Sequence, residues 1–436
     1  MFFSAVAERP IHIVIIGAGA AGLIAGRDLS RAGHRVTILE ARDRVGGRIW
    51  QFDPGEFGYG AEGGAEFIHG EAPVTKALVS EAGLTLVRGR HDGERWDKRG
   101  GTLTNRELPL AGEALLPEKL AALTGDMPIA QFLEENFAGG QYAPLRHSII
   151  RMTEGYDAAD PARASTFALR DEWLGGGMHQ SHRVDQGYGA LMDFLARQLR
   201  AYGGDIHLDA EVKEIETRDG KATAHCLSGE TVIADLAIVT VPLPALHEIG
   251  FRPDIPDKLA AADRIGYGDV IKLLLGFDTA FWRNTQGRDL SRLSFVISDE
   301  FVPTWWTQYP RPYPVLTGWL AGPKAATLTA LGEEELIERG LASLAHIFDR
   351  PAPSLKQSLT AARAIHWGKD RFARGAYSYA TPESHDAQAE LAKPAHGILY
   401  YSGEALYRGK DMGTVEAALA NGKETAAAIM NRSSAP

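Results

Sequence analysis

Cysteine is almost absent from this sequence. Cys226 is the single cysteine among 436 residues. One cysteine cannot form an intramolecular disulfide, and it cannot supply the several thiolates of a metal cluster. His179 and His182 are close in sequence, but no patterned cysteine or acidic partner surrounds them. We therefore expect no metal site, and we expect these two histidines to lie in a loop.

Long apolar runs and an excess of positive charge are also missing. No run approaches the roughly 20 apolar residues of a membrane-spanning helix, and residues 1–10 lack the basic start and apolar core of a secretory signal. The formal net charge of -10 would repel nucleic acid and anionic lipid. We expect a cytoplasmic protein that binds a small molecule, and neither nucleic acid nor a membrane. Its oligomeric state is left open.

The N-terminal part of the chain has the pattern of a βαβ unit. Residues 11–16 are continuously apolar and β-branched, which is typical of a parallel strand buried on both faces. The glycine-rich run 17–22 follows directly, then a helical pattern to about residue 31, and a second strand pattern at 36–39. This arrangement predicts a Rossmann-like α/β domain.

The remaining patterns predict a nucleotide-binding domain that is interrupted twice. Residues 188–202, 333–348 and 413–430 read as helices, and residues 205–215, 221–227, 231–241 and 397–402 read as strands. Residues 74–183 look helical and polar, whereas 265–394 begins with strands and holds most of the tryptophans. The expected domains are nucleotide-binding at 1–73, 184–264 and 395–436, and an α+β substrate-binding domain at 74–183 and 265–394.

The glycine-rich run has the spacing of a dinucleotide-binding fingerprint. Gly17 permits the tight turn, Gly19 lets the backbone approach a pyrophosphate, and Gly22 lets helix and strand pack closely. The following helix N-terminus offers free N–H groups to phosphate. Glu40, at the end of the second strand, is placed to accept hydrogen bonds from a ribose.

The segment after the fingerprint decides the dinucleotide. Residues 40–48, ending in Gly46-Gly47-Arg48, resemble the extension found in flavin-containing amine oxidoreductases. In that family this element runs along the dinucleotide, and its arginine contacts phosphate. The resemblance implies FAD as the cofactor.

Further motifs follow in the family's order along the whole chain. Residues 60–70 resemble the glycine-rich segment beside the isoalloxazine, in the version typical of polyamine oxidases. Residues 268–272 resemble the segment whose lysine, here Lys272, holds a water against flavin N5. Residues 367–378 are similar to the motif whose tyrosine, here Tyr377, forms one wall of an aromatic cage. Residues 401–404 and 413–418 resemble the C-terminal FAD motif.

The resemblance implies a set of site residues. It assigns Lys272, Tyr377, Thr414 and His69 to the catalytic site. It assigns the following residues to FAD: Gly17, Gly19, Ala21, Gly22, Glu40, Ala41, Arg42, Gly47, Arg48, Gly64, Ala65, Glu66, Val212, Trp367, Gly403, Glu404, Thr414 and Val415. The fold it implies is of the amine oxidase type, with a discontinuous Rossmann-like FAD-binding domain and an α+β substrate-binding domain.

The sequence also departs from some members of the family. Ala376 stands where mitochondrial monoamine oxidases have the cysteine that bonds FAD, so we expect non-covalent FAD. Thr414 replaces their second cage tyrosine, as in polyamine oxidases and lysine-specific histone demethylases. The demethylases' long helical insertion is missing, which argues against a chromatin role.

The expected activity is oxidation of a polyamine or another alkylamine. Hydride leaves the carbon next to nitrogen for flavin N5, the imine hydrolyses, and oxygen is the usual acceptor in the family. This requires a neutral amine, which an apolar pocket favours although a free alkylamine has a pKa of about 10.4. The alternatives are a flavin desaturase or oxidase acting on carbon–carbon bonds, and a non-catalytic flavin-binding subunit.

Some side chains have two open interpretations. His69 either faces substrate or makes a loop hydrogen bond. Glu62, Glu66 and Glu71 either attract the distal ammonium of a polyamine or are solvated. Trp305, Trp306 and Trp319 are expected in the core of the substrate domain, with one of them possible at the pocket.

Overall fold

A computed structural model of the chain describes residues 10–88, 93–105, 109–175 and 181–433. The strands, in chain order, are β1 (His12–Ile16), β2 (Arg35–Leu39), β3 (Ile68–His69), β4 (Leu86–Arg88), β5 (Glu94–Arg99), β6 (Thr102–Thr104), β7 (Ser181–Val184), β8 (Asp205–His207), β9 (Val212–Arg218), β10 (Lys221–Cys226), β11 (Thr231–Ala234), β12 (Leu236–Val239), β13 (Gly250–Arg252), β14 (Gly266–Gly268), β15 (Val270–Phe277), β16 (Asn284–Thr285), β17 (Arg288–Asp289), β18 (Leu293–Ser298), β19 (Thr304–Thr307), β20 (Val315–Ala321), β21 (Leu359–His366), β22 (Tyr377–Tyr379) and β23 (Leu399–Tyr401).

The α-helices between them vary from single turns to long amphipathic helices. They are α1 (Ala20–Arg31), α2 (Pro54–Phe57), α3 (Pro73–Glu81), α4 (Leu116–Ala121), α5 (Ile129–Phe137), α6 (Ala143–Tyr156), α7 (Thr166–Gly175), α8 (Tyr188–Ala201), α9 (Leu243–Leu246), α10 (Pro256–Arg264), α11 (Pro323–Ala326), α12 (Glu333–Phe348), α13 (Ala352–Gln357), α14 (Ser384–Leu391) and α15 (Val415–Ser433).

A five-stranded parallel sheet forms the first layer, in the order β23-β12-β1-β2-β8. Ile13 and Ile15 of β1 are in one apolar cluster with α1, α8 and α15. Val14 and Ile16 are in a second cluster on the opposite face. Because β1 is covered on both faces, its sequence is continuously apolar, as predicted.

Small residues let the helices approach the sheet and one another closely. A Cβ on Gly422 of α15 would lie 2.5 Å from the carbonyl oxygen of Ala21 in α1. A Cβ on Gly26 would lie 2.6 Å from Leu199 of α8. These contacts fix α1 between α8 and α15, and with it the turn that precedes α1.

A seven-stranded sheet forms the second main layer, in the order β21-β15-β20-β19-β18-β5-β6. Its central strand β15 has the sequence VIKLLLGF and is buried along its whole length. Helix α12 packs on this sheet through Leu344 and Phe348, in one cluster with Leu273 and Trp305. A lysine, Lys272, therefore lies inside an otherwise apolar strand.

Three sequence-based expectations about strands were wrong. The expected strand 205–215 is two strands, β8 and β9, in different sheets, because Asp209 adopts φ of 54° between them. The expected strand 231–241 divides into β11 and β12 at Asp235, whose carboxylate accepts the N–H of His12 at 2.8 Å. Residues 74–183 were expected to be helical, yet β5 and β6 extend the seven-stranded sheet.

The other elements match their predictions within a few residues, including α1, α8, α12 and α15. The domain boundaries stay a prediction, and β3, β7 and β4, which form one small sheet, come from both expected domains.

In the described part of the chain, no helix has the length and apolarity to cross a bilayer. Among the same residues no group of three or more potential ligands is arranged to hold a metal. His182 was expected in a loop but lies in strand β7, and His179 lies outside the described residues.

Candidate active site

The turn between β1 and α1 has the geometry that its glycines predict. Gly17 adopts φ of 106°, and a Cβ there would lie 2.7 Å from the hydroxyl oxygen of Thr240. A Cβ on Gly22 would lie 2.1 Å from the carbonyl oxygen of Gly17. By contrast, no described atom lies within 4 Å of a Cβ on Gly19. The turn is therefore closely packed at Gly17 and Gly22, whereas the space beside Gly19, at the N-terminus of α1, is open.

Glu40 is buried directly after β2 and accepts hydrogen bonds from the backbone around this turn. Its carboxylate accepts the N–H of Ala18 at 2.7 Å and the N–H of Arg42 at 3.0 Å. Burial raises the pKa of Glu40, and these N–H groups oppose that shift only in part. Arg42 pairs with Asp370 at 2.6 Å, beside a cleft of about 400 Å³ that Ala41 also lines. Val212, at the start of β9, is buried.

Arg48 connects segments that are far apart in the sequence. Its Nη1 donates to Glu404 at 2.7 Å and to the carbonyl oxygen of Ala376 at 2.8 Å. The neighbouring Gly47, with φ of 58°, lies close to the glycine-rich turn, since a Cβ there would lie 3.6 Å from Cα of Gly19. The residues predicted for phosphate and ribityl contacts, Arg48 and Glu404, thus also contact each other.

Thr414 begins the last helix, α15. Its hydroxyl accepts the N–H of Ala417 at 3.1 Å and donates to the carbonyl oxygen of Asp411 at 2.6 Å, so it acts as an N-cap. A Cβ on Gly413 would lie 3.2 Å from the ring of Tyr377. This places the residues directly before α15 beside Tyr377; Val415 is the first residue of that helix.

The glycine-rich segment 60–70 lies between Arg48 and Lys272. A Cβ on Gly64 would lie 1.8 Å from the carbonyl oxygen of Arg48, so only glycine fits this position. Trp367 donates its indole N–H to the carbonyl oxygen of Gly63 at 3.1 Å. Lys272 donates to the carbonyl oxygen of Gly64 at 3.0 Å, which places Gly64 and Ala65 directly beside the lysine.

Lys272 is fully buried and pairs with Glu66. Its Nζ lies 2.9 Å from Oε2 of Glu66, and Arg183 approaches the other carboxylate oxygen at 2.9 Å. Burial alone would raise the pKa of Glu66, but the two cations outweigh it and hold the pKa well below its usual range. The interpretation of Glu66 as a solvated acid, or as one that meets a distal ammonium, is therefore wrong.

Glu62 is buried in the same segment but in a different environment. One of its oxygens accepts the N–H of Tyr188 at 2.6 Å, and the other has no hydrogen-bond partner among the described residues. Burial raises the pKa of Glu62 to about 8. Glu62 is therefore neither solvated nor open to substrate, whereas Glu71 is exposed.

Aromatic side chains continue outward from Lys272 in a chain of ring contacts. The ring of Trp306 lies 5.5 Å from the lysine nitrogen, and the Tyr377 hydroxyl donates to the carbonyl oxygen of Tyr156 at 2.7 Å. The other neighbouring rings have centroids 5.3–6.0 Å apart, whereas Tyr377 joins the set through its hydrogen bond to Tyr156. We call this set the aromatic wall; its members are Phe67, His69, Tyr156, Phe295, Trp306, Trp319 and Tyr377.

His69 contributes to this wall as a neutral ring. It lies 5.3 Å from Tyr156 and 5.8 Å from Phe67, measured between ring centroids. Burial lowers the pKa of His69 to about 4, so the ring carries no positive charge at neutral pH. Of the three tryptophans, Trp305 packs in the core, as expected, whereas Trp306 and Trp319 both belong to the wall.

Several residues of this site were not identified from the sequence. Arg183 and Gln308 donate to Glu66, and Tyr156 lies opposite His69. Each is an isolated residue in a segment without a motif, so no local signal distinguishes it. Arg183 lies on β7, Gln308 directly follows β19 and Tyr156 ends α6, so the tertiary fold brings these side chains together.

A family model for flavin-containing amine oxidoreductases matches residues 20–430 of the sequence. The chain belongs to this family. Accordingly its cofactor is FAD, and the protein is an FAD-dependent amine oxidoreductase.

Curated relatives of the chain include two plant polyamine oxidases. The probable polyamine oxidase 4 of Arabidopsis thaliana is 30% identical, over 90% of this chain and 82% of the relative. Polyamine oxidase 5 of Oryza sativa subsp. japonica is 29% identical, over 91% and 83%. The human lysine-specific histone demethylase 2 is 27% identical over 91% of this chain, but over only 50% of its own length.

Solved structures of amine oxidases share the fold. A putrescine oxidase bound to putrescine aligns with a TM-score of 0.79 at 24% identity, covering 97% of this chain and 100% of the other. The cyclohexylamine oxidase from Brevibacterium oxydans IH-35A aligns with a TM-score of 0.78 at 20% identity, covering 97% and 99%. These likenesses confirm the amine oxidase type of fold.

The geometry of this family member fits FAD. The open front of Gly19 at a helix N-terminus suits a pyrophosphate, and the carboxylate of Glu40 has lone pairs free to accept ribose hydroxyls. Arg48 and Glu404 contact each other, and Gly47, next to Arg48, approaches Gly19. Together with the N-terminus of α15, these residues would hold the cofactor.

Proposed function

We propose that this protein oxidises a polyamine or another alkylamine. When bound, FAD supplies the two-electron oxidation in which hydride leaves the carbon next to the amine nitrogen and oxygen is reduced to hydrogen peroxide. Water then hydrolyses the imine to an aldehyde and an amine. The observation that carries the proposal is the aromatic wall, which ends at the buried Lys272 beside the FAD residues.

The aromatic wall supports oxidation of a neutral amine. An ammonium has no lone pair with which to stabilise the positive charge that develops on carbon. Aromatic surface excludes water and so disfavours the charged form of a bound amine. The neutral His69 adds no repulsion, and the faces of Tyr377 and Trp306 attract the electron-poor nitrogen that develops in the reaction. No side chain has to act as a general base toward the amine.

Acidic side chains near the outer end of the wall support a substrate with a second amino group. Glu71 is exposed, and Asp411 lies close by, with its Oδ1 3.8 Å from where a Cβ on Gly70 would be. Burial raises the pKa of Asp411; Glu416 and Glu71 add to this shift, and Lys410 opposes it. A distal ammonium at this position would relieve the repulsion among these carboxylates.

Anaerobic mixing with a panel of amines tests the proposal. The panel contains spermine, spermidine, N-acetylated polyamines, putrescine, benzylamine and several amino acids, and the flavin absorbance is followed. We expect fast bleaching by one or more di- or polyamines, followed by recovery and peroxide formation when air is admitted. The exposed Glu71→Gln should raise KM for a polyamine more than for benzylamine.

Two results would contradict the proposal. If dithionite reduces the flavin but no amine does, the activity lies elsewhere, and oxidation of carbon–carbon bonds becomes the next candidate. If amines bleach the flavin but air does not restore it, the protein is a dehydrogenase with another electron acceptor.

A further inference from the structure

The carboxylate of Glu66 is surrounded by donors from several elements. Oε2 accepts from Lys272 of β15 at 2.9 Å, and Oε1 accepts from Arg183 of β7 at 2.9 Å. The indole N–H of Trp306, on β19, lies 3.1 Å from both oxygens. Gln308 donates to Oε1 at 3.2 Å. Such a carboxylate fixes the position of every side chain that donates to it.

The cluster of Glu66, Lys272 and Arg183 carries one formal negative charge and two positive charges. The side chains of all three are at most 6% exposed. A buried charge without a counter-ion costs several kcal/mol by order of magnitude. The cluster as a whole is therefore a buried cation with a formal charge of +1.

Neighbouring titratable groups do not supply the missing negative charge at neutral pH. The pKa of Glu62 is raised by burial to about 8, so its carboxyl group is mainly protonated. Burial also raises the pKa of Tyr59 well above its usual value. Arg311 also lies near Glu62, but its pairing with Asp185 at 2.5 Å leaves no net charge from that pair.

An ammonium group has three donors, and Lys272 directs two of them to Gly64 and Glu66 among the described residues. The Gly64 loop separates the cluster from Arg48 and from the other FAD residues. The family resemblance places flavin N5 beside Lys272, and on that placement the excess positive charge lies next to the part of the cofactor that gains electrons. Oriented charge of this kind tunes a cofactor without contacting substrate.

We propose that Glu66 is a positioning residue that holds the Lys272 ammonium beside the flavin, so that the cluster's excess positive charge stabilises the anionic form of the reduced cofactor. The inference rests on the placement of FAD that also underlies the proposed function. It does not depend on which amine is oxidised, or on whether oxygen is the acceptor.

Sulfite titration of the oxidised holoenzyme tests this inference without an amine or oxygen. The sulfur lone pair of sulfite forms a bond to flavin N5, and the electron pair displaced into the ring leaves a colourless anion. A positive charge near the ring favours this adduct. The dissociation constant of sulfite at pH 7 therefore reports the charge that Lys272 presents to the flavin.

We expect Glu66→Gln and Lys272→Met each to weaken sulfite binding by on the order of tenfold. If Glu66 acts through Lys272, the double variant should be no weaker than Lys272→Met alone. Glu66→Asp keeps the charge and should restore part of the affinity. If Glu66→Gln does not retain FAD, the sulfite affinities of Glu66→Asp, Lys272→Met and the double variant Glu66→Asp/Lys272→Met are compared instead.

Glu62→Gln is the matched control, because it removes a buried carboxyl group from the same segment that bonds to Tyr188 and not to Lys272. It should leave the affinity for sulfite within about twofold of that of the unmodified protein. Unchanged or tighter sulfite binding in Glu66→Gln would overturn the inference. If Glu66 only offset the positive charge of Lys272 and Arg183, its neutralisation would leave more positive charge in the cluster and sulfite would bind more tightly. A normal sulfite result with no reduction by amines would instead refute the proposed function alone.

Discussion

Glu62 and Glu66 lie in the same glycine-rich segment, but their surroundings act on their carboxyl groups in opposite directions. Glu66 meets two buried cations, which hold its pKa low. Glu62 meets a single backbone N–H, and burial raises its pKa to about 8. Residue type alone does not distinguish them, because the difference comes from the donors that other strands bring to each carboxyl group.

The raised pKa of Glu62 predicts how the stability of the protein depends on pH. A carboxyl group whose pKa is raised in the folded state contributes its full stabilisation at pH values below its usual pKa of 4.5. This contribution to the unfolding free energy is lost as the pH rises through about 8. Glu62→Gln cannot ionise. We therefore expect the variant to gain about 4 kcal/mol in unfolding free energy relative to the unmodified protein between pH 5 and pH 9, measured by urea denaturation.

Glu118→Gln serves as the control, because Glu118 is exposed on α4. Its unfolding free energy should follow that of the unmodified protein across the same pH range. Parallel curves for Glu62→Gln and the unmodified protein would show that Glu62 ionises freely in the folded state.

At the scale of an element, the β1–turn–α1 unit separates two roles of glycine. Gly22 is needed for folding, because a Cβ there would overlap the carbonyl oxygen of Gly17. Gly19 faces open space and is needed only when a pyrophosphate approaches. Two substitutions of equal size, three positions apart, should therefore have different effects.

We expect Gly19→Ala to leave the melting temperature of the apoprotein within a few degrees of its original value and to weaken FAD binding by about tenfold or more. Gly22→Ala should lower both the melting temperature and the affinity, since the turn itself must move. Thermal unfolding of the apoprotein and titration by quenching of FAD fluorescence measure the two effects. Equal FAD affinity in Gly19→Ala and the unmodified protein would contradict this assignment.

Elements with strong periodicity were predictable, and those that depend on a single break were not. Helix α12 matches the predicted 333–348, because its apolar residues recur at helical spacing. Strands β8 and β9 appeared as one strand because the sequence around Asp209 does not show its left-handed backbone conformation. Local patterns identify which segments are regular, but tertiary contacts decide where a strand changes sheet.

At the scale of the whole molecule, the part of the site that follows motifs was predicted and the part built from isolated residues was not. Lys272, Tyr377 and Thr414 lie in motifs; Lys272 contacts Gly64, and Gly413, next to Thr414, approaches Tyr377. Arg183 and Gln308 reach Glu66 from positions more than a hundred residues away. Such contacts are set by sheet topology, which a single sequence does not specify.

Ala376 at the FAD site predicts that the cofactor is released when the protein unfolds. The one cysteine, Cys226, is buried in the second core cluster, with Val212 and Val239. Precipitation with acid should therefore leave a colourless pellet and a yellow supernatant whose flavin comigrates with FAD on chromatography. Colour that remains in the washed pellet would indicate a covalent bond and contradict the prediction.

The parallel sheet also bears on how the protein is made. Strand β1 and the fingerprint turn leave the ribosome before β12 and β23, which close one side of their sheet, and before α15, which covers α1. Arg48 must likewise wait for Glu404, 356 positions later. We therefore expect nascent chains to carry the dinucleotide motif long before they can retain FAD, so that the cofactor is bound only after most of the chain has been made.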